Sequence, residues 1–192
     1  MSRPDPDILR RAQAGDRDAL DVLLRPELDR VFATCRRMVG GRQEAEELAQ
    51  DALVKVIRGL PTYDGRASLS TWMTRVTINA CLSWMRSRAR HSGRRPISLE
   101  QPDTLAGEPG VAPGVQPDEK ARLERALDGL KPEHRAILVL RDVRELDYEA
   151  IGAALDLPIG TVKSRLFRAR AALRVALEED ERAGKPERVE DA

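Results

Sequence analysis

Aromatic residues are scarce in this chain of 192 residues: two Trp, two Tyr and two Phe. With so few rings, any core must be built from aliphatic side chains. Cysteine is limited to Cys35 and Cys81, each in an apolar helical context and without CxxC or Cys/His spacing. That excludes a disulfide framework and a thiolate metal site, and makes both cysteines core residues. The two histidines, His91 and His134, lie far apart, and there is no phosphate-cradling glycine motif and no nucleophile elbow. The usual catalytic constellations are therefore missing, which disfavours an enzyme, a small-molecule substrate or a cofactor. No apolar run approaches membrane-spanning length, and the polar start MSRPDPDILRRAQAGD lacks a signal-peptide core. A soluble, cytoplasmic protein of a reducing compartment is expected, with no direct membrane insertion.

What is present is charge, unevenly spread. The net charge is only +1, yet Gly65 to Leu99 contains seven Arg and no acid. Acids gather instead around Glu44–Asp51, in the middle of the chain and at the C-terminus. Separate basic and acidic surfaces imply two kinds of partner, one of them polyanionic.

Helical periodicity runs through nearly the whole chain. A short helix is expected over Asp5–Ala14, and a longer one from Asp16 to Val39 with a break at Pro26. The next, Gln43 to Gly59, buries Leu48, Ala52, Leu53, Val56 and Ile57 and displays Glu44, Glu46, Glu47, Gln50 and Asp51. Those acids either complement the helix dipole or dock a basic protein surface. After the turn-rich stretch LPTYDGRASLS, Ser70 is a candidate cap for a helix from Thr71 to about Arg90. It carries both tryptophans, Trp72 and Trp84, together with Arg75, Asn79 and Arg86. Arginine beside an aromatic suits a phosphate backbone with an unpaired base, while core packing is the alternative for each ring.

Residues 96–118 hold five prolines, three glycines, four acids and no Lys or Arg. Such a composition cannot build a core and reads as a flexible, acidic linker. Helix resumes over Glu119–Gly129 and again at Pro132. In LDYEAIGAALDLPIGTVKSRLFRARAAL two short helices flank a turn at Asp156-Leu157-Pro158, with Thr161 or Gly160 as candidate cap of the second. Val162, Leu166, Ala169 and Leu173 form its inner face. Lys163, Arg165, Arg168, Arg170 and Arg174 are expected on its other faces, with no acid between Leu157 and Leu177. A helix-turn-helix with a basic second helix suits the DNA major groove. No strand alternation and no repeat is found, so the expected fold is all-α in two lobes.

These residues resemble the extracytoplasmic-function (ECF, group IV) sigma factors of bacterial RNA polymerase. LKPEHRAILVLRDVRELDYEAIGAALDLPIGTVKSRLFRARAAL is similar to the family's fourth conserved region, and AEELAQDALVKV with STWMTRVTINACLSWMR to its second. The resemblance implies a region 2 domain over 1–95, a linker over 96–118, a region 4 helix-turn-helix domain over 119–180 and a charged, disordered tail over 181–192. It implies that Glu47, Gln50 and Asp51 face the coiled coil of the polymerase's largest subunit, with the flap as a second contact. Arg66, Trp72, Arg75, Asn79 and Arg86 would engage and unpair the −10 element. Thr161, Lys163, Ser164, Arg165, Arg168 and Arg170 would read the −35 element. It further implies an anti-sigma factor as partner, and no metal or other cofactor. Asp147 stands where relatives commonly have serine and is an equally good helix cap. Asp156 replaces a common turn glycine, and aspartate tolerates the left-handed region at about 1 kcal/mol. The competing reading is a stand-alone regulator of the response-regulator output type. That protein would need a phospho-acceptor domain of alternating strands and helices, for which the N-terminal half shows no pattern.

Overall fold

A computed structural model describes residues 4–91 and 117–183, and every described element is helical. Five helices make the first lobe: α1 (Pro6–Gln13), α2 (Arg17–Leu24), α3 (Leu28–Val39), α4 (Arg42–Gly59) and α5 (Leu69–His91). Four make the second: α6 (Pro117–Asp128), α7 (Pro132–Leu138), α8 (Tyr148–Leu155) and α9 (Ile159–Ala183). The linker expected over 96–118 falls mostly outside the described residues, and its last two, Pro117 and Asp118, belong to α6. At the other end α9 continues past 180 to Ala183, so the start of the expected tail is helical; 184–192 lie outside the described residues.

Local chemistry sets the boundaries. Asp5 caps α1 by accepting from the Asp7 and Ile8 amides, and Asp16 caps α2 by accepting from Asp18 and Ala19, each substituting for a helical carbonyl that the first turn lacks. Pro26 breaks the α2–α3 run as a 3-10 turn, Arg25–Glu27. Ser70 is not the cap of α5. That helix starts earlier, at Leu69, and the Ser68 hydroxyl accepts from the Thr71 amide at 3.1 Å. Ser70 is left inside the helix and buried, because Leu69 must also turn inward. The second helix of the helix-turn-helix likewise starts before Gly160 and Thr161, at Ile159, with the Val162 amide donating to the Pro158 carbonyl at 3.0 Å. Proline's fixed φ favours this entry.

The first lobe packs α3, α4 and α5 around Cys35, Met38, Ala52, Val56, Ile78 and Cys81. Cys35 and Cys81 are fully buried with sulfurs 3.8 Å apart. The Cys35 sulfur and burial together push the Cys81 thiol well above its ordinary range, so Cys81 stays a protonated, apolar filler. The second lobe packs α7 and α8 on α9 through Ile137, Leu140, Ile151, Val162, Leu166 and Ala169. The two lobes do not stand apart. Helices α7 and α8 lie on α5, α6 lies on α3, and one apolar cluster runs through both.

Candidate nucleic-acid interface

Helix α4 has one buried apolar edge, Ala45, Leu48, Ala49, Ala52 and Val56. The acids lie off that edge. Glu44 is drawn to Arg88 of α5 (3.3 Å), Glu46 to Arg42 (2.9 Å), and Glu47 accepts from Gln43 at 3.3 Å. The backbone amide of Glu44 itself, followed by Arg88, holds its carboxyl below the usual range. Of the dense acidic face, Glu44 is tied to α5, while Glu46, Glu47, Gln50 and Asp51 are exposed.

The stretch between α4 and α5 is held from below by a residue that sequence reasoning missed. The Gln13 amide at the end of α1 donates to the carbonyls of both Leu60 and Tyr63, each at 3.1 Å. Buried Tyr63 then donates its hydroxyl to the Ala67 carbonyl at 2.7 Å and lies 5.3 Å from the Trp72 ring, tilted by 49°. Asp64 accepts from the Arg66 amide and pairs with its guanidinium (3.0 and 3.1 Å). Gln13 therefore fixes Tyr63, and Tyr63 fixes both Trp72 and the loop carrying Arg66. A lone glutamine at a helix end has no sequence signature for this task.

Along α5, Trp72 is half-buried, Arg75 and Asn79 are exposed, and Arg86 is half-buried. These positions bring an aromatic edge, a guanidinium and an amide to one side of the helix, as their spacing predicts. Trp84 is also half-buried, with the Arg88 guanidinium 5.0 Å from its ring centre. It is therefore part packing and part cation–π partner. His91 ends α5, exposed, with Nδ1 2.8 Å from the Ser87 carbonyl.

The helix-turn-helix is built tightly. Asp147 caps α8 through the Ala150 amide at 2.7 Å. Asp156 takes the left-handed conformation (φ 57°, ψ 52°), and the Leu157 amide returns to the Gly152 carbonyl at 2.9 Å. A Cβ on Gly152 would lie 2.8 Å from the Leu157 carbonyl oxygen, so only glycine permits this close turn. Helix α9 then buries Val162, Leu166 and Ala169, with Leu173 partly buried beside them.

The arginines of α9 do not all splay into solvent. Lys163 is exposed and sits 5.7 Å from the Tyr148 ring centre. Thr161 and Ser164 are half-exposed. The Arg168 guanidinium folds back on the Ser164 carbonyl and hydroxyl, both at 3.3 Å. Arg165 is half-buried, and burial lowers its pKa. Arg170 pairs with Asp142 at 2.9 Å. Helical spacing places a side chain on a face but cannot show that Asp142, 28 residues earlier, reaches the same place. His134 lies near this cluster: burial first, then Lys131, Arg165 and Arg168, lowers its pKa below the ordinary value.

Polar ties cross between the lobes, among them the ion pair of Arg36 on α3 with Glu124 on α6 at 3.8 Å. Arg135 is 3% exposed, donating to the Met38 carbonyl (2.7 Å) and to Asp128 (2.9 Å). Asp128 lies against Gly40, where a Cβ would meet the carboxylate oxygen at 2.5 Å and φ is +76°. Arg144 donates to the Thr74 hydroxyl (3.0 Å) and the Ser70 hydroxyl (3.2 Å). Asn79 donates to the Ala154 carbonyl at 3.3 Å. Among the described residues there is no acid, histidine and cysteine cluster able to hold a metal ion, and no helix long and apolar enough to cross a membrane.

An all-α chain with an aromatic, arginine-bearing helix in one lobe and a basic helix-turn-helix in the other defines a two-point DNA-binding transcription protein. Residues 23–91 match sigma-70 region 2 and residues 120–173 match sigma-70 region 4. The chain is 29% identical over 181 residues to the RNA polymerase sigma-H factor of Pseudomonas aeruginosa, covering 91% of this chain and 94% of that one. It is 36% identical over 165 residues to the ECF RNA polymerase sigma factor SigE of Mycolicibacterium smegmatis, covering 83% and 63%. Among solved structures, the sigma factor RpoE of Bartonella quintana in complex with the anti-sigma factor NepR superposes with a TM-score of 0.62 at 26% identity, over 82% of this chain and 95% of that one. CnrH, in complex with the cytosolic domain of CnrY, shares the fold with a TM-score of 0.63 at 20% identity, over 91% and 97%. The chain belongs to the ECF sigma factors, non-enzymatic specificity subunits that direct RNA polymerase to promoters. The response-regulator alternative is not favoured: the N-terminal half is region 2, with no strand among its described residues.

Proposed function

We propose a division of labour between the two lobes, carried by one observation: an exposed Arg75–Asn79 edge beside half-buried Trp72 on α5, in the same chain as a tightly turned helix-turn-helix. Arg66 stands on a loop braced by Gln13 and Tyr63, and Trp72 on α5 packs against the Tyr63 ring, so their geometry precedes DNA binding. Trp72, Arg75, Asn79, Arg66 and Arg86 engage the −10 element, the ring stacking where a base leaves the duplex. Thr161, Lys163, Ser164 and Arg165 on the first turns of α9 meet the −35 major groove. Arg168 contributes once it swings off Ser164. Arg170 reaches DNA only if its pair with Asp142 opens, and otherwise holds the recognition helix in place. Glu47, Gln50 and Asp51 dock on a basic coiled coil of core polymerase.

The chain itself performs no bond chemistry in this reading and acts in the cytoplasm, where core polymerase is found. The RpoE relative is held by an anti-sigma factor, and a protein of that kind is the proposed regulator here. The test is reconstituted initiation with core polymerase and promoter DNA, omitting each component in turn. Specific transcripts should need all three. Tight, specific DNA binding by the chain alone, with no initiation added to core polymerase, would overturn the reading.

A further inference from the structure

A cavity of about 240 Å³ is walled by the first turns of α5, by Arg30 of α3 and by residues 143–146 ahead of α8. Two guanidiniums converge there on one oxygen: Arg30 donates to the Ser70 hydroxyl at 3.4 Å and Arg144 at 3.2 Å. Glu27 answers one of the two charges, pairing with Arg30 at 3.0 Å and accepting from Ser70 at 2.9 Å. Arg144 meets hydroxyls alone among the described residues, those of Ser70 and Thr74. Burial lowers its pKa, Glu27 counters that and the Arg30 charge adds to it. One half-buried cation is thus left without an anion of its own, a costly arrangement in a poorly hydrated setting. Donors remain to receive one. Arg144 Nη1 and Arg30 Nη2 take no part in these bonds, and half-exposed Thr71 adds a hydroxyl to the wall. Glu145 also lines the cavity, but it is exposed and no partner among the described residues holds its carboxylate.

We propose that this cavity is a binding site for a small phosphorylated anion, a phosphomonoester or free phosphate, gripped by Arg30 and Arg144. The guanidinium fork matches the geometry of phosphate oxygens, and a phosphomonoester's charge of about −2 suits two such forks. Arg30, Arg144 and Glu145 together leave the lining with a net positive charge. Val143 and Leu146 on the same wall keep water from screening the pairing. The volume is several times the roughly 30 Å³ that one water takes up in the liquid, room for a phosphate group with a small body attached. A DNA backbone would need a continuous groove, whereas residues of both lobes wall this cavity. The site does not rest on the promoter reading, since neither Arg30 nor Arg144 is among the residues assigned to either element.

The test uses the full chain with inorganic phosphate and glycerol 3-phosphate as probes, each against chloride at equal ionic strength. Calorimetry should give one site, and a probe at about ten times its Kd should raise the melting temperature by about 4 °C. Arg30→Gln should weaken binding about tenfold by removing a charge-assisted contact. Arg144 also ties the lobes, so Glu145→Gln is the variant whose effect a folding defect does not imitate. It removes the acid from the wall and should tighten binding about threefold. Glycerol 3-phosphate binding at least as tightly as phosphate identifies an ester as the occupant, and weaker binding identifies free phosphate; both support the site. No preference for either probe over chloride, or unchanged affinity in both Arg30→Gln and Glu145→Gln, would overturn the proposal. So would displacement of phosphate by a 12-nucleotide single strand of DNA, which would give the cavity to the promoter backbone instead.

Discussion

The two lobes use arginine differently. On α5 and its preceding loop, Arg75 is exposed, and Arg66 is exposed with only its loop neighbour Asp64 as ion-pair partner, so both are available to a polyanion at little structural cost. On α9, Arg165 is half-buried, Arg168 is folded onto Ser164 and Arg170 is paired with Asp142. The α5 side presents charge on a ready surface, whereas on the α9 side several guanidiniums also build the platform. Equal charge density in sequence thus covers two roles, separated by burial and pairing.

That difference can be broken at its most buried point first. Arg135→Ala removes a buried charge-assisted hydrogen bond and strands the Met38 carbonyl, so urea unfolding should show a loss of about 2–3 kcal/mol; a change within 0.5 kcal/mol would mean that water replaces the guanidinium. Next come the DNA contacts of α9. Arg165→Ala and Arg168→Ala should each weaken −35-dependent transcription by about 1–3 kcal/mol if they make bidentate base contacts, and normal promoter use in both would remove α9 from the groove. Gln13→Ala should reduce open-complex formation by about 1 kcal/mol by releasing Tyr63 and Trp72, leaving binding to a −35 duplex unchanged; 2-aminopurine fluorescence at the melted bases measures it. The sharpest comparison sets Arg75→Ala against Arg170→Ala. The first should leave stability within about 0.5 kcal/mol while weakening DNA binding, and the second should lower both. Identical behaviour of the two would erase the distinction between the lobes.

The smallest effect concerns pH. Unfolded His134 takes up a proton near its ordinary value of 6.5, while burial and the neighbouring cations make the folded residue resist it. Below that value the unfolded state binds more protons, so this contribution to stability is complete above about pH 6.5 and is lost as pH falls. The difference in melting temperature between His134→Gln and wild type should therefore shift in favour of the variant between pH 7.5 and 5.5. A pH-independent difference would show that His134 titrates normally.

The order and type of the helices were legible because each has a marked start or stop: Asp5, Asp16, Pro26, Gly40, Pro132 and Asp147 announce themselves in the sequence. The misplaced starts, a cap at Ser70 where Ser68 caps and a cap at Thr161 or Gly160 where the helix already begins at Ile159, arose where candidate caps lie close together and only packing selects among them. The basic second helix followed from periodicity, and the grouping of Trp72, Arg75 and Asn79 from the family resemblance. Gln13, Arg135 and Arg144 did not, since each acts on groups between 47 and 97 residues distant.

By itself the sequence determined an all-α chain in two lobes and the faces carrying charge, because helix periodicity, capping and composition are local properties, while its motifs carried the resemblance to two sigma regions. Only tertiary structure decided which arginines are free and which are structural, and that Asn79 and Arg144 tie the lobes together. A guanidinium has the same charge wherever it stands in the sequence; its burial and its partners are properties of the folded surface around it.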